Sequence, residues 1–539
     1  MSFKFDPGLV ALTPNPFPSP RPPLPIPLPP KFEWPPRLWI PDPVRLVYPP
    51  AKIKILVVTD TLSFSTATGA FAIGRFVEVL RDATHPDHPD YAVFDVDTMS
   101  RAANNTSFFT DALLDDYDEV WLFGFGRGSR GDSGAHEHDL SSSEVAALTR
   151  FMDAGGGVFA TGDHEDLGLG LAAGVPRVKS MRRWYHSYQG TVPLPPGEND
   201  APDNARLDRI DTVEPTTADP DSGAQSDATP QVIEPKQYRG PTIFHSYVHP
   251  VLCGPRGPIT LFPDHAHEGI CEVPDAWNAS DFPGVRPEVI AWGTTSAGQT
   301  KFEAGVGYTL PSSERFGLLS AYDGHRGSRG RVLTDSTWHH WMNINIDGFI
   351  AAAAAGSPDA WLDVAAYFRN VAVWLAPKGK QRAMRRAGTA IIRWRYPFIE
   401  NVPFDLDLNA RLPMLLPSAA DAAGKAAPQC QRLLFVRDWL IDAKFDRLAT
   451  LFDPWHPEGE KLELDPMHAR ALIETVSNAV LGGAAVAAGQ VFQRADGKSA
   501  VAEEADAKMI EAVSIATKAA LRAHHKQAER ACAELKAFF

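Results

Sequence analysis

The feature that most constrains the fold is an alternation of apolar runs and helical stripes that begins at residue 53. Residues 53–58 form a largely apolar run, and the polar pair Thr59 and Asp60 follows it directly. Such a run is consistent with a parallel strand that is buried on both faces. Residues 72–80 then carry apolar side chains at helical spacing. Strand and helix in this order predict a βα unit, and repeated βα units predict an α/β fold with a parallel sheet.

Further apolar runs continue this alternation along the chain. The predicted strands are 91–96, 120–123, 158–160, 288–292, 302–308, 316–321 and 331–333. Ser141 and Glu144 have the spacing of a capping box, which predicts that a helix begins there, and Gly155 can end it. A long apolar stripe over residues 361–375 predicts another helix, which Pro377 ends.

Three segments depart from the alternation and define the expected regions of the chain. Residues 1–50 carry 17 of the 47 prolines, which predicts an extended arm without helix or central strand. This arm either lies on the protein's own surface or binds an aromatic groove of another chain. Within the core, 51–385, residues 170–285 lose the alternation and predict a loop-rich insertion that covers the site. Residues 386–539 predict a mainly helical region, including a long Ala-rich helix.

Composition narrows the classes of protein that fit. The net charge is -14 and no long basic run occurs, which argues against nucleic acid or an anionic membrane as the main partner. The four cysteines show no C-x-x-C spacing, which argues against a disulfide framework and a thiolate zinc site. No secretory pattern is apparent, and the apolar stretch 479–492 is too short to span a bilayer, so we expect a cytoplasmic protein.

Three short stretches combine histidine with acidic residues, namely 161–166 (TGDHED), 263–269 (PDHAHEG) and 335–341 (DSTWHHW). Imidazole and carboxylate groups bind first-row metal ions and move protons near neutral pH. The first stretch directly follows a predicted strand, and ligands of open α/β sheets bind at the carboxyl ends of strands. We therefore expect all three stretches to share one pocket.

The spacing within these stretches favours a metal centre. His265 and His267 are two residues apart, so on an extended segment they face the same side and can chelate one ion. Zinc with three protein ligands and a water is the expected arrangement, and manganese or iron would suit a shell with more carboxylates. The candidate ligands are His164, His265, His267, His340 and Asp264. The candidate catalytic residues are Asp163, Glu165, Glu268 and His339, with either glutamate as the general base.

Arg182 and Arg183 are candidates for binding an anionic group of a small-molecule substrate, and a solvated basic face is the alternative. The histidine-acid stretches can also serve structure alone. The carboxylates of 163–166 can stabilise a helix N-terminus, and 265–267 can form a surface turn. Of the pair His339 and His340, which lies between two tryptophans, we expect one to be a packed, hydrogen-bonded core histidine. Cys271 is expected to be a buried small apolar residue.

A strand, a Gly turn, a polar residue and a helix form the layout of a nucleophile elbow. With a histidine after a late strand, residues 51–385 without the insertion resemble the class I glutamine-amidotransferase-like superfamily, nearest to its ThuA-like branch. The resemblance implies a flavodoxin-like core and a carbohydrate-like or amide substrate. In that family a Gly-x-Cys-x-Gly elbow carries the nucleophile and a late histidine, here His339 or His340, activates it. Asp163 stands at the cysteine position and Thr161 and Glu165 replace the glycines, so amidotransferase activity is not expected.

Two functions of different classes follow from these patterns. The first is a metal-dependent hydrolase of a small polar substrate. The second is a catalytically silent scaffold that the proline arm and the C-terminal helices hold in an assembly. Neither appendage can bury its apolar residues alone, so each needs a partner surface, which is either the chain's own core or a second copy of the chain. We expect a homo-oligomer, with a dimer as the commonest closed form.

Overall fold

The computed structural model describes fifteen stretches of the chain, all within one compact unit, Ile40–Phe539. They are residues 42–85, 87–126, 137–162, 168–184, 231–240, 246–263, 270–273, 279–295, 300–303, 306–309, 314–356, 360–395, 428–456, 466–495 and 502–536. Most of the predicted proline arm lies outside them. The prediction that residues 1–50 contain no helix is wrong for Asp42–Val47, a helix that begins just before Pro43. Proline is tolerated in a first turn, where its missing N–H has no helical partner to lose.

Eight strands of the described chain form the central sheet. They are β1 Ala51–Thr59, β2 Ala92–Ser100, β3 Glu119–Phe123, β4 Gly157–Thr161, β5 Glu234–Pro235, β6 Glu288–Thr295, β7 Glu314–Tyr322 and β8 Val332–Asp335. Their order is β2-β1-β3-β4-β8-β7-β6-β5. The first five pair in parallel, whereas β7, β6 and β5 are joined by antiparallel pairing. The fold is therefore α/β with a mixed, mostly parallel sheet, and the prediction of a parallel sheet is wrong for the last three strands.

The remaining regular structure consists of helices and short hairpin strands. The described α-helices are α1 Asp42–Val47, α2 Gly74–Arg81, α3 Asp111–Leu114, α4 Ser142–Asp153, α5 Leu169–Ala172, α6 Asn343–Gly356, α7 Ala360–Leu375, α8 Lys378–Arg395, α9 Gln429–Asp442, α10 Asp446–Ala449, α11 Pro466–Ala495 and α12 Ala502–Lys536. Single 3₁₀ turns are Val178–Ser180, Pro250–Leu252, Gly324–Gly327, His339–Trp341 and Thr450–Phe452. Antiparallel strand pairs outside the main sheet are Arg182–Arg183 with Ile270–Cys271, Gln231–Val232 with Leu261–Phe262, Tyr238–Arg239 with Ser246–Tyr247, Cys253–Gly254 with Gly257–Pro258, and Thr300–Glu303 with Val306–Thr309.

The predicted capping box opens α4. The Ser141 hydroxyl accepts a hydrogen bond from the Glu144 N–H at 3.3 Å, and the Glu144 carboxylate accepts one from the Ser141 N–H at 2.8 Å. The same carboxylate accepts a hydrogen bond from Arg101 Nε at 3.0 Å, and both side chains are fully buried. The buried charge is thus paired at the start of the helix, where the helix dipole also favours a carboxylate.

Successive side chains of a strand point to opposite faces of the sheet, and helices cover both of these faces. On one face Ile55 belongs to an apolar cluster with Phe368 of α7, and on the other Leu56 belongs to a cluster with Leu148 of α4. The first cluster continues into the late helices, where it includes Val436 of α9. These C-terminal helices therefore share a hydrophobic core with the sheet.

The two longest helices approach each other through small side chains. A methyl group added at Gly483 of α11 would lie 2.8 Å from the Cβ of Ala516 of α12. Within α11, the 24-residue stretch Ala469–Phe492 contains an 18-residue window with a mean hydropathy of 1.5, and the stretch is long and apolar enough to cross a membrane. The apolar stretch predicted at 479–492 is therefore the second half of a longer apolar helix. Its most apolar window is 61% buried inside the protein, as in a core helix of a soluble protein, so it is weak support for a membrane span.

The first testable prediction concerns Glu119, which is fully buried at the start of β3 and accepts a hydrogen bond from Trp121 Nε1 at 2.9 Å. Burial raises the pKa of Glu119 well above its ordinary value. A raised folded-state pKa gives stability that is present below the unfolded pKa and is lost as pH rises through the folded one. Glu119→Gln should therefore raise the free energy of unfolding at pH 8 by at least about 1 kcal/mol, and by less at pH 4.

Urea unfolding at the two pH values measures this difference. The matched control is Glu474→Gln on the surface of α11, which removes an exposed i,i+4 pair with Arg470 and should change stability little at either pH. A Glu119→Gln effect of the same size at pH 4 and pH 8 would contradict the prediction.

Candidate functional site

Four parallel strands end in one row at the carboxyl edge of the sheet. Thr59 of β1 is paired with Phe123 of β3, Phe123 with Thr161 of β4, and Thr161 with Asp335 of β8. A hydrogen bond of 2.6 Å from the Thr161 hydroxyl to the Thr337 carbonyl joins the chain segments after β4 and β8. The residues that follow these strands therefore lie side by side, at the edge where open α/β sheets bind ligands.

Asp60 is the first residue after β1 and is buried at this edge. One of its carboxylate oxygens accepts a hydrogen bond from the Phe125 N–H at 2.9 Å, and the other accepts one from the Gly126 N–H at 2.8 Å. Burial raises the pKa of Asp60, while the two N–H groups and the nearby His138 act in the opposite direction. A carboxyl group with a raised pKa and a fixed position is suited to proton transfer near neutral pH.

The imidazole of His138 faces the same point as Asp60. A methyl group at Gly126 would lie 2.5 Å from His138 Cγ and 2.7 Å from Asp60 Oδ2, so only glycine leaves room for both side chains. Within the part of the chain that the structure describes, the buried Nδ1 of His138 has no hydrogen-bond partner. Its Nε2 lies 3.4 Å from the carboxylate of Glu137. Asp60 and His138 thus form a candidate acid-base pair.

The first histidine-acid stretch lies between two glycines that are fixed beside this pair. The Gly168 N–H donates to the Gly126 carbonyl at 3.3 Å, and a methyl group at Gly168 would lie 2.7 Å from the Cα of Gly162. Gly162 directly follows β4. The predicted site residues between these glycines, Asp163, His164 and Glu165, lie outside the described residues.

The second stretch is flanked by residues that contact β8 and its following turn. Before it, the ring of Phe262 stacks on the imidazole of His340 with 4.5 Å between centroids. After it, the thiol of Cys271 donates to the Thr334 carbonyl at 3.5 Å. Cys271 is buried, as predicted, and burial raises its pKa to about 12. The predicted site residues in between, Asp264, His265, His267 and Glu268, lie outside the described residues.

The third stretch is built around the buried carboxylate of Asp335. One oxygen accepts hydrogen bonds from His340 Nε2 at 2.7 Å, Trp341 Nε1 at 3.2 Å and the Tyr367 hydroxyl at 3.2 Å. The other accepts one from the Thr337 N–H at 3.3 Å. The prediction of a packed, hydrogen-bonded core histidine is confirmed for His340, and its role as a metal ligand stays a prediction.

Aromatic rings wall the site next to this stretch. His339 is buried and stacks on Trp338 with 4.5 Å between ring centroids, and its catalytic role stays a prediction. Trp338 makes edge contacts with Phe125 at 5.4 Å and with Phe71 at 5.0 Å. Phe71 is 42% exposed, so one face of this wall reaches solvent. Because Phe125 also donates its N–H to Asp60, the aromatic wall and the acid-base pair are adjacent.

The two predicted substrate-binding arginines lie on a short strand. Arg182 is 2% exposed, donates from Nη2 to the Ser336 carbonyl at 2.8 Å and lies 4.3 Å above the Trp184 ring. Arg183 Nε donates to the Glu272 carboxylate at 2.6 Å. The alternative of a solvated basic face is therefore wrong for Arg182, and substrate binding by either arginine stays a prediction.

A metal centre cannot be assembled from the described side chains alone. Among the described stretches of the chain, no group of three or more His, Cys, Asp and Glu residues could hold a metal ion. The predicted zinc site therefore depends on segments 163–167 and 264–269. Neither Asp60 nor His138 is among the residues predicted from the sequence, although the position of Asp60 directly after a buried strand was a usable signal.

Comparison of the chain with family models, with curated proteins and with solved structures found no match.

The second testable prediction concerns Asp335. In Asp335→Ala four buried donors lose their acceptor, so the free energy of unfolding should fall by about 3 kcal/mol or more. Asp97→Ala is the control, because that exposed carboxylate accepts a surface hydrogen bond from Tyr117, and its loss should cost less than about 1 kcal/mol. Chemical denaturation measures the free energy of unfolding of both variants. Equal decreases in the two variants would contradict the structural role of Asp335.

Proposed function

We propose that the chain is a metal-dependent hydrolase of a small polar substrate and that it acts at the carboxyl edge of the sheet. The observation that carries this proposal is the Asp60 carboxyl group, which two backbone N–H groups fix beside the His138 imidazole. A buried carboxyl with a raised pKa next to an imidazole is an uncommon arrangement outside functional sites. Its place at the ends of β1 and β3 adds to this support.

Chain connectivity supports the participation of the predicted ligands. Consecutive Cα atoms are about 3.8 Å apart, so no residue of 163–167 is more than about 11 Å from Gly162 or Gly168. The same limit holds for 264–269 relative to Pro263 and Ile270. Both anchor pairs adjoin the carboxyl edge, which makes a shared pocket with Asp60 and His138 sterically accessible.

Each part of the site then has a chemical role. His164, His265, His267 and Asp264 would hold the ion, and zinc bound there would lower the pKa of a water molecule so that hydroxide forms near neutral pH. Asp60 and His138 would move the proton between this water and the leaving group. Asp163, Glu165 and Glu268 are further candidates for the base, and the aromatic wall would limit access of bulk water.

The order of the parallel strands supports the finer fold assignment. Renumbered in chain order, β2-β1-β3-β4-β8 is the order 2-1-3-4-5 of flavodoxin-like sheets, whose ligand crevice lies between the first and third strands. Asp60 and Phe125 follow those two strands. We therefore retain the amidotransferase-like core as a proposal, with a carbohydrate-like or amide substrate and without glutamine amidotransferase activity.

A silent scaffold is the second candidate function, and the burial of His339 and His340 favours it. Imidazoles enclosed by aromatic rings and a carboxylate can serve packing alone. In this case the proline arm and the C-terminal helices would hold a cytoplasmic homo-oligomer together. The metal content of the purified protein distinguishes the two candidates, because a scaffold needs no bound transition metal.

The third testable prediction concerns this metal. The full chain should contain close to one equivalent of zinc by elemental analysis, and a chelator should lower its melting temperature, because the ion binds the folded state only. His267→Ala should lose both the zinc and the chelator effect. His525→Ala, on the exposed end of α12, is the control and should retain both.

Asp60→Asn tests the acid-base pair separately from the metal. It should keep the zinc content and reduce hydrolysis of a panel of small amides and glycosides by roughly a hundredfold or more. A parent protein without transition metal and without a chelator effect would reject metal dependence. Full hydrolysis by Asp60→Asn would remove Asp60 from the mechanism.

A further inference from the structure

Two cysteines that are far apart in the sequence meet inside the protein. Cys253 begins a short hairpin strand and Cys430 lies in the first turn of α9, and both are buried free thiols. The Cys430 N–H donates a hydrogen bond to the Cys253 sulfur at 3.4 Å, although the residues are 177 positions apart. Because an N–Cα bond is about 1.46 Å long, the Cys430 Cα lies within about 4.9 Å of that sulfur. The two side chains are therefore within reach of each other.

The Cys253 sulfur acts as a cap for α9. The helix begins after Pro428, which has no side-chain hydrogen bond to the first turn. The first N–H groups of a helix have no carbonyl partner within the helix, and the Cys253 sulfur accepts the one from Cys430. These N–H groups carry the positive end of the helix dipole, which stabilises a thiolate over a thiol.

A guanidinium group on the same helix also acts on this sulfur. The positive charge of Arg432 lowers the pKa of Cys253, and in the described part of the chain the buried Nε of Arg432 has no hydrogen-bond partner. Tyr247 also lies near Arg432, but burial raises the pKa of this phenol to about 12, so it stays neutral. A thiolate at Cys253 therefore supplies an anion for this cation.

A hydrogen bond between the two thiols makes their acidities unequal. The Cys430 thiol donates to the Cys253 sulfur, which lowers the pKa of Cys253 against the effect of burial. The same hydrogen bond, together with burial, raises the pKa of Cys430 well above its ordinary value. The Cys430 sulfur also lies 3.6 Å from the Val248 carbonyl, a second acceptor for its proton. Cys253 is thus the nucleophile of the pair, and Cys430 is the thiol next to it.

We propose that Cys253 and Cys430 are a redox pair that a small peroxide converts reversibly into a disulfide. First, the Cys253 thiolate attacks one oxygen of hydrogen peroxide and the O–O bond breaks. This gives a sulfenic acid and a hydroxide ion, which takes up the proton that Cys253 had lost and becomes water. Next, the Cys430 sulfur attacks the Cys253 sulfur, the S–S bond forms, and the hydroxyl group leaves with the Cys430 proton as a second water. The two sulfurs lose two electrons to the peroxide, and a dithiol reverses the reaction by exchange.

Both cysteines adjoin exposed parts of the chain, which gives a peroxide a way in. Pro255, two residues after Cys253, and Gln429, directly before Cys430, are exposed. Hydrogen peroxide is hardly larger than water, so a small local opening of either segment admits it.

The disulfide would join two helical regions of the protein. The Cys253 carbonyl accepts a hydrogen bond from Asn370 Nδ2 of α7 at 3.0 Å, whereas Cys430 belongs to α9 in the C-terminal region. In a reducing cytoplasm, the compartment expected from the sequence, such a bond is typical of redox sensing rather than of a permanent staple. The inference is independent of the hydrolase proposal, because neither cysteine belongs to the candidate site.

Peptide mapping of the full chain without reductant, after treatment with hydrogen peroxide, tests the pair. The peptides with Cys253 and Cys430 should be linked with the loss of two hydrogen atoms, and dithiothreitol should separate them. Cys271, whose pKa burial raises to about 12, is the internal control and should stay a thiol. Exposed Cys532 reports that the oxidant is active. A sample with oxidised Cys532 but no Cys253–Cys430 link, or with equal oxidation of Cys271, would overturn the proposal.

Single variants identify the nucleophile. In Cys430→Ser the sulfenic acid at Cys253 has no thiol to react with, so dimedone should trap it there. In Cys253→Ser dimedone should not label Cys430. Labelling of Cys430 alone would contradict the assigned order of the two steps.

Arg432→Met tests the guanidinium group through the rate of disulfide formation. If the pKa of Cys253 rises by about one unit, the thiolate fraction at neutral pH falls about tenfold while its intrinsic nucleophilicity rises, so the rate should fall roughly threefold. Arg432→Lys keeps the charge and should restore most of the rate. Arg447→Met, on the exposed surface of α10, is the control and should react like the parent. Melting curves verify that the variants fold, and a parent rate in folded Arg432→Met would contradict the role of Arg432.

Discussion

The carboxylate of Asp335 is the interaction on which the carboxyl edge depends. It accepts hydrogen bonds from the turn after β8 and from α7, so a single buried carboxylate joins a strand, a 3₁₀ turn and a helix. One of those donors, Trp341, lies within 5.3 Å of the ring centroids of Phe76, Phe123 and Phe159. The position of Asp335 therefore sets the aromatic packing beneath the site. A buried charge is tolerated only when it is fully hydrogen-bonded, and here each oxygen has a donor.

Much of the α/β core could be predicted from sequence because its elements are long and periodic. The runs that became β1, β3 and β4, and the capping box of α4, fall where the hydrophobic pattern placed them. The antiparallel pairing of β7 with β6 and β8 could not be predicted, because an apolar run does not show which strand it will pair with. Most hairpin strands of the predicted insertion are two residues long, too short to show any period, although Phe262 is buried in the main core.

The candidate site was predictable only in part. Histidines and carboxylates after predicted strands pointed to the carboxyl edge of the sheet, where Asp60 and the turn after β8 also lie. Asp60 and His138 were overlooked because pairing of β1 with β3 brings together residues far apart in sequence, and Gly126 makes room for both. His340 was predicted as a candidate ligand, but its sequence context cannot distinguish a metal ligand from a buried hydrogen-bonded histidine. Only the structure shows its contacts with the Asp335 carboxylate and the Phe262 ring.

β8 separates two kinds of charge. Asp335 lies at its carboxyl end, and Asp60 lies at the same edge of the sheet, after β1. Arg331 precedes its amino end and lines a cleft with other guanidinium groups. Four residues of strand span only about 13 Å, so these opposite charges are held apart by a short rigid element. At the amino end the charge of Arg331 is compensated locally, because the Asp323 carboxylate accepts a hydrogen bond from its Nε at 2.8 Å. Each end of the strand therefore holds its buried charge in a hydrogen-bonded arrangement of its own, as burial of a charge requires.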